Sequence, residues 1–123
     1  MLVRHKLRTT LVALLAIFAF TAGAAAFEGR YGSSSTGSRS AVITRDNQGV
    51  YKVLLTVTAG QCTGELEAYG EVAGGNLVAE VAAQDDPCKV TISRRGGGIA
   101  VREQRCLNWH GAGCDFSGQL QPR

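Results

Sequence analysis

The chain is short of the groups that most enzymes depend on. Its 123 residues include two histidines, His5 and His110, one methionine, one tryptophan and two prolines. With a single histidine after residue 26, a histidine-based zinc site has no ligand set. A serine triad would have to use His110, and no G-x-S-x-G stretch accompanies it. Asp46-Asn47 and Asp85-Asp86 do not match a calcium loop and read first as turn residues. Glu65, Glu67 and Glu71, with Tyr69 among them, could serve acid–base work on sugars. They fall on the outward phase of one strand, however, without the burial that would split their pKa values. No metal, no cofactor and no enzymatic activity is expected.

A net charge of one sign is also missing once the N-terminus is set aside. Arg4, Lys6 and Arg8 account for all of the formal +3. They precede an apolar run from Leu11 to Phe20 and then Thr21-Ala22-Gly23-Ala24-Ala25-Ala26. A basic start, a short apolar stretch and small residues ending in A-x-A form the three parts of a secretory signal peptide. The run is about half the ~20 residues a spanning helix needs. The expected mature protein is a monomer from Phe27 to Arg123, formally neutral, exported to the periplasm or the exterior, with no stable membrane insertion. Net charge lends no support to nucleic-acid binding.

Residues 27–123 read as one small all-β domain. Tyr51, Val53, Leu55 and Val57 alternate with Lys52, Leu54, Thr56 and Thr58, so one face points to a core. Cys62, Leu66 and Ala68 form an inward set, followed by Leu77, Ala79, Val81 and Ala83. Cys88, Val90 and Ile92 come next, then Ile99 and Val101, and finally Phe116, Gly118 and Leu120. Turn signals separate the runs at Asp46-Asn47-Gln48-Gly49, Gly74-Gly75-Asn76, Asp85-Asp86-Pro87 and Gly96-Gly97-Gly98. Strands at this spacing imply an antiparallel barrel or sandwich of about seven or eight strands. Residues 32–40 read as a flexible Gly/Ser connector. The two ends echo each other, Phe27-Glu28-Gly29-Arg30-Tyr31 against Phe116-Ser117-Gly118-Gln119-Leu120. Pairing of these end strands would close the sheet and remove its edges.

Four cysteines in an exported chain of this size read as two disulfides. Cys62 and Cys88 share the inward phase of strands two apart, and Cys106 and Cys114 flank a natural hairpin loop. The expected pairing, among three possibilities, is 62–88 with 106–114. The loop 107–113 is then the foremost binding candidate, with Asn108, Trp109 and His110. Trp109 also reads as a cap over the open end of the core. Arg94 and Arg95, before Gly96-Gly97-Gly98, could form an anion-binding turn or an ordinary hairpin turn.

Several local patterns run together: Cys62-Thr63-Gly64-Glu65, Gly75 to Val78, Cys88-Lys89-Val90-Thr91-Ile92, and Cys106 through His110-Gly111 to Cys114-Asp115-Phe116-Ser117-Gly118. In these the chain resembles short exported bacterial proteins built on a disulfide-linked β domain. The resemblance implies an envelope or extracellular location and no settled activity. By architecture alone it is similar to small calycin-like secreted inhibitors of lysozymes and proteases. The expected function is a module that binds an extracytoplasmic protein. Structural or envelope-associated and apolar-ligand-carrier roles stand as alternatives.

Overall fold

Alternation with period two governs nearly every segment of the computed structural model, which describes residues 26–34, 37–82, 85 and 87–123. The strands are β1 (Gly29–Ser33), β2 (Ser38–Arg45), β3 (Tyr51–Ala59), β4 (Cys62–Ala73), β5 (Asn76–Glu80), β6 (Lys89–Arg95), β7 (Gly98–Gln104) and β8 (Gly118–Pro122). Each pairs antiparallel with the next, and β8 returns to β1 to close an eight-stranded barrel. The closing seam is short. Tyr31 faces Pro122, Gly32 faces Gln121, and the Arg123 N–H donates to the Arg30 carbonyl at 2.9 Å. The end strands therefore do pair, and among the described residues no barrel edge is left for another chain to add to.

The inward phase is apolar with one exception, Glu103 on β7. Ala41, Ile43, Val53, Leu55, Val57, Leu66, Ala68, Leu77, Ala79, Val90, Ile92, Ile99 and Leu120 are all buried in one cluster. Lys52, Glu65, Glu67, Glu71, Lys89 and Arg102 lie on the outward phase. This is the reverse of a membrane-spanning barrel, whose apolar residues face outward to lipid. No helix among the described residues is long and apolar enough to cross a membrane.

A barrel of eight strands has an interior that side chains can fill, but its two ends remain to be covered. Phe27 covers the end where β1 begins, and Phe116 covers the end where β8 begins; both are buried. The Phe27 ring meets Tyr51 edge-on at 6.2 Å and carries the Arg94 guanidinium at 5.4 Å. The Tyr31 hydroxyl donates to the Phe27 carbonyl at 3.0 Å and fixes the approach to β1. The sequence echo thus has a structural meaning: each end strand is preceded by the phenylalanine that plugs its own end of the barrel. Full burial of such a ring is worth about 1.5–3 kcal/mol.

Three sequence expectations change here. The 32–40 connector is largely strand, since β1 extends to Ser33 and β2 starts at Ser38, paired from Ser33↔Arg39 onward. Phe116 stands before β8 rather than in it. Cys62 is half-buried at the start of β4, not part of the core. The expected signal peptide falls almost wholly, and Ala83 and Asp86 fall entirely, outside the described residues. The expected turns at 46–49, 74–76 and 96–98 do form. Asp46 Oδ1 accepts from the N–H groups of Gln48 and Val50 at 2.8 and 2.9 Å. Gly74 and Gly75, at φ +60° and +81°, make the two-residue hairpin between β4 and β5. Positive φ at both central positions matches the twist of the flanking strands.

Gly70 is required by close approach. A β-carbon there would stand 1.8 Å from the Val78 carbonyl oxygen, which is fixed in the β4–β5 ladder. Gly70→Ala is therefore expected to cost at least about 1–3 kcal/mol through backbone displacement. Thermal unfolding of the variant against the parent protein should show a melting temperature lower by several degrees.

Candidate functional site

The connection between β7 and β8 is long, and it lies across one end of the barrel. Its course is set first by Arg105, the one non-glycine with positive φ (60°) among the described residues. That turn leads out of β7 and delivers Cys106 into the core, where it is 1% exposed. A single 3-10 turn, Leu107–Trp109, follows. Next, His110 makes an antiparallel bridge to Gly64, and the Gly111 N–H donates to the Thr63 carbonyl at 3.1 Å. The connection thereby adds a fragment of ladder to the start of β4. Gly64 allows this, since a β-carbon there would meet the His110 β-carbon at 2.5 Å.

The disulfides pair Cys62 with Cys114 and Cys88 with Cys106, which corrects the expected 62–88 and 106–114 arrangement. Adjacent strands account for the second bond. The β6–β7 register pairs Lys89 with Gln104, so the chain just before β6 lies beside the chain just after β7. The Cα atoms of Cys88 and Cys106 are 4.6 Å apart. The 107–113 loop is consequently not closed on itself. It is tied at one end to the entry of β6 and at the other to the start of β4. With sequence separations of 52 and 18, the bonds constrain the unfolded chain by about 4 and about 3 kcal/mol in the loop-entropy account.

Glu103 organises the space between these ties. It lies in the inward phase of β7, and its side chain is 12% exposed. One carboxylate oxygen accepts the Phe116 N–H at 2.7 Å, and the other lies 2.9 Å from His110 Nε2. The Glu103 N–H donates to Ser117 Oγ at 3.0 Å. His110, with its side chain 3% exposed, has its second ring nitrogen 2.7 Å from the Gly111 carbonyl. Its ring meets Phe116 edge-on at 5.2 Å. A carboxylate and a carbonyl accept, so this pair of partners favours the form in which both ring nitrogens donate, the imidazolium. Burial opposes that charge. The bond to Gly111, the bond to Glu103 and the negative charges of Glu103 and Asp115 outweigh it and raise the His110 pKa above 6.5. Arg39 reaches in from β2, with Nε 3.0 Å from the Asp115 carbonyl and a guanidinium nitrogen 3.2 Å from Asp115 Oδ1.

The sequence candidates divide between the two ends. Asn108, Trp109 and His110 lie on the pinned connection. Trp109 is half-buried against the core, as a cap, while His110 faces inward. Arg94 and Arg95 belong to the opposite end, before the β6–β7 turn, where Arg94 rests on Phe27. Sequence reasoning missed Glu103 and Arg39, and it included Leu107 in the 107–113 loop without singling it out. Glu103 carried a signal: a carboxylate two residues beyond Val101, in the inward phase, calls for a buried partner. Leu107 is 74% exposed, the most exposed large apolar side chain among the described residues. Among those residues no group of His, Cys, Asp and Glu could hold a metal ion. Comparison with protein-family models, curated proteins and solved structures finds no match.

The raised His110 pKa carries a signed consequence. A group whose pKa is higher folded than unfolded stabilises fully below its unfolded value, near 6.5, and loses that effect as pH rises through the folded value. Melting temperature should therefore fall as pH is raised from about 6 through the folded pKa. His110→Gln should melt lower at pH 6 and show a flatter profile.

Proposed function

We propose that the chain is an exported binding module that engages another extracytoplasmic protein through the β7–β8 connection. The N-terminal pattern of residues 1–26 and the two disulfides support export to an oxidising compartment. The observation that carries the reading is Leu107. A leucine 74% exposed stands on a segment held by two disulfides, a half-buried carboxylate and a ladder bridge. An isolated exposed leucine is ordinary on a mobile loop. On a segment ordered before any encounter, it offers apolar area at little further entropic cost, the condition that favours tight association.

The partner class is a secreted hydrolase such as a lysozyme or protease, whose concave cleft would receive the exposed residues 107–108 and 111–113. Trp109, half-buried, packs against the core. The interior argues for an outside surface as the place of binding, since the inward side chains and the two phenylalanine plugs form one packed cluster. This favours a protein partner over an apolar ligand carried in the lumen.

The test separates Leu107 from Trp109. Binding and inhibition would be measured with the oxidised protein against a panel of lysozymes and proteases. Leu107→Asp should weaken an interaction found there by ten-fold or more while leaving the melting temperature within a degree or two. Trp109→Ala should lower stability by about 3 kcal/mol. A Leu107→Asp protein that binds as tightly as the parent would contradict the reading.

A further inference from the structure

The neutral total for residues 27–123 conceals a separation of charge over the outside of the barrel. On β4, Glu65, Glu67 and Glu71 are exposed, with one ion pair among them, from Lys52 to Glu67 at 3.7 Å. The outward phase of β6 and β7 is different. It reads Lys89, Thr91, Ser93 and Arg95 on one strand and Ala100, Arg102 and Gln104 on the other. A cleft of about 210 Å³ lies on this wall, lined by Asn76, Thr91, Ser93, Ala100, Arg95 and Arg102, with Val101 beneath. No carboxylate is in the lining. Glu80, the carboxylate on β5, stands in the Lys89 row at the far end of β6.

The register explains why this cleft exists. Ser93 faces Ala100 across the ladder, with Arg102 opposite Thr91 on one side and Arg95 opposite Gly98 on the other. Outward side chains on a strand repeat every ~7 Å, so the two arginines stand in rows on the order of 14 Å apart along the strands. The pair of smallest side chains falls between them. Each guanidinium is long enough to lean over that floor, and the hydroxyls of Thr91 and Ser93 and the carboxamide of Asn76 line it.

Other arginines are already engaged by the fold. Arg39 holds Asp115, Arg45 lies over Tyr51, Arg94 lies over Phe27, and the Arg123 side chain covers Gly32. Arg95 and Arg102 have neither a carboxylate nor a ring partner among the described residues. Two arginines lining one cleft with Thr91, Ser93 and Asn76 supply the kind of forked donors through which arginine binds an oxyanion. We propose that this cleft is a binding site for an oxyanion group, a carboxylate, sulfate or phosphate, borne by a small polar ligand. The site lies on the β5–β7 wall and is independent of the β7–β8 connection.

The test is an NMR titration of the oxidised, isotope-labelled protein with sodium sulfate, sodium phosphate and sodium glucuronate, at ionic strength held constant with sodium chloride. The expected result is saturable shifts of the Arg95 and Arg102 Nε–Hε signals and of the Ser93 and Ala100 amides with at least one of the three. Tighter binding of glucuronate than of both inorganic ions would point to an acidic sugar, and the reverse order to a free anion; either supports the site. Arg95→Gln/Arg102→Gln should weaken binding ten-fold or more without lowering the melting temperature. Arg102→Lys, which keeps the charge and loses the fork, should also weaken it, and Arg30→Gln on β1 should not. Non-saturating shifts, shifts shared equally with Arg30, or unchanged binding in Arg102→Lys and the double variant would overturn the proposal.

Discussion

A carboxylate occupies a place where strand alternation calls for an apolar side chain, and one end of the barrel is arranged around it. Glu103 follows Val101 in the inward phase of β7, where an unpaired charge would cost several kcal/mol. It is satisfied by the Phe116 N–H and by His110. Both partners come from the β7–β8 connection, so that connection must cross the barrel end rather than extend into solvent. Phe116 can plug the end because its own N–H has an acceptor inside. His110 sits between Glu103 and the Gly111 carbonyl, two acceptors that favour its protonated form. The two disulfides and the Arg39–Asp115 pair secure a path that this carboxylate already requires.

Among the described residues, the other end has no comparable polar centre. Phe27 closes it with apolar and cation–ring contacts, to Tyr51 and Arg94, and with the hydrogen bond from Tyr31 to its carbonyl. The barrel is thus filled along its axis and sealed by one phenylalanine at each end, and it meets solvent through its outer surfaces. Those surfaces differ. The β7–β8 end presents an ordered segment with an exposed leucine, the β4 wall is acidic, and the β6–β7 wall carries arginines over a small-residue floor.

Much of the fold was legible in the sequence because strand alternation and glycine turns are local signals. The inward sets of β3, β5, β6 and β7 and the closure of the end strands follow from them. The disulfide pairing was misread because proximity along the chain was weighed above register. The Gly96-Gly97 hairpin sets Arg95 against Gly98, and counting back along it brings Cys88 beside the residues just after Gln104. Cys106 is then the neighbour of Cys88, and Cys62 is left for Cys114. The Gly/Ser composition of residues 32–40 suggested a connector, yet most of that stretch pairs as strand, because ladder hydrogen bonds and burial of Tyr31 and Ala41 override weak local propensity. In the candidate site, Trp109 and His110 were visible as rare residue types, whereas Leu107 and Glu103 gained meaning only from their exposure and burial.

The central claim is that the β7–β8 connection is an ordered part of the barrel rather than a loop attached to it. Amide hydrogen exchange of the oxidised protein tests this most directly, residue by residue. The Phe116 N–H, bonded to the half-buried Glu103, and the Gly111 N–H, bonded to the Thr63 carbonyl, should be protected to a degree comparable with the amides of β3. Exchange of both at the rate of a freely exposed peptide, while β3 stays protected, would contradict the account.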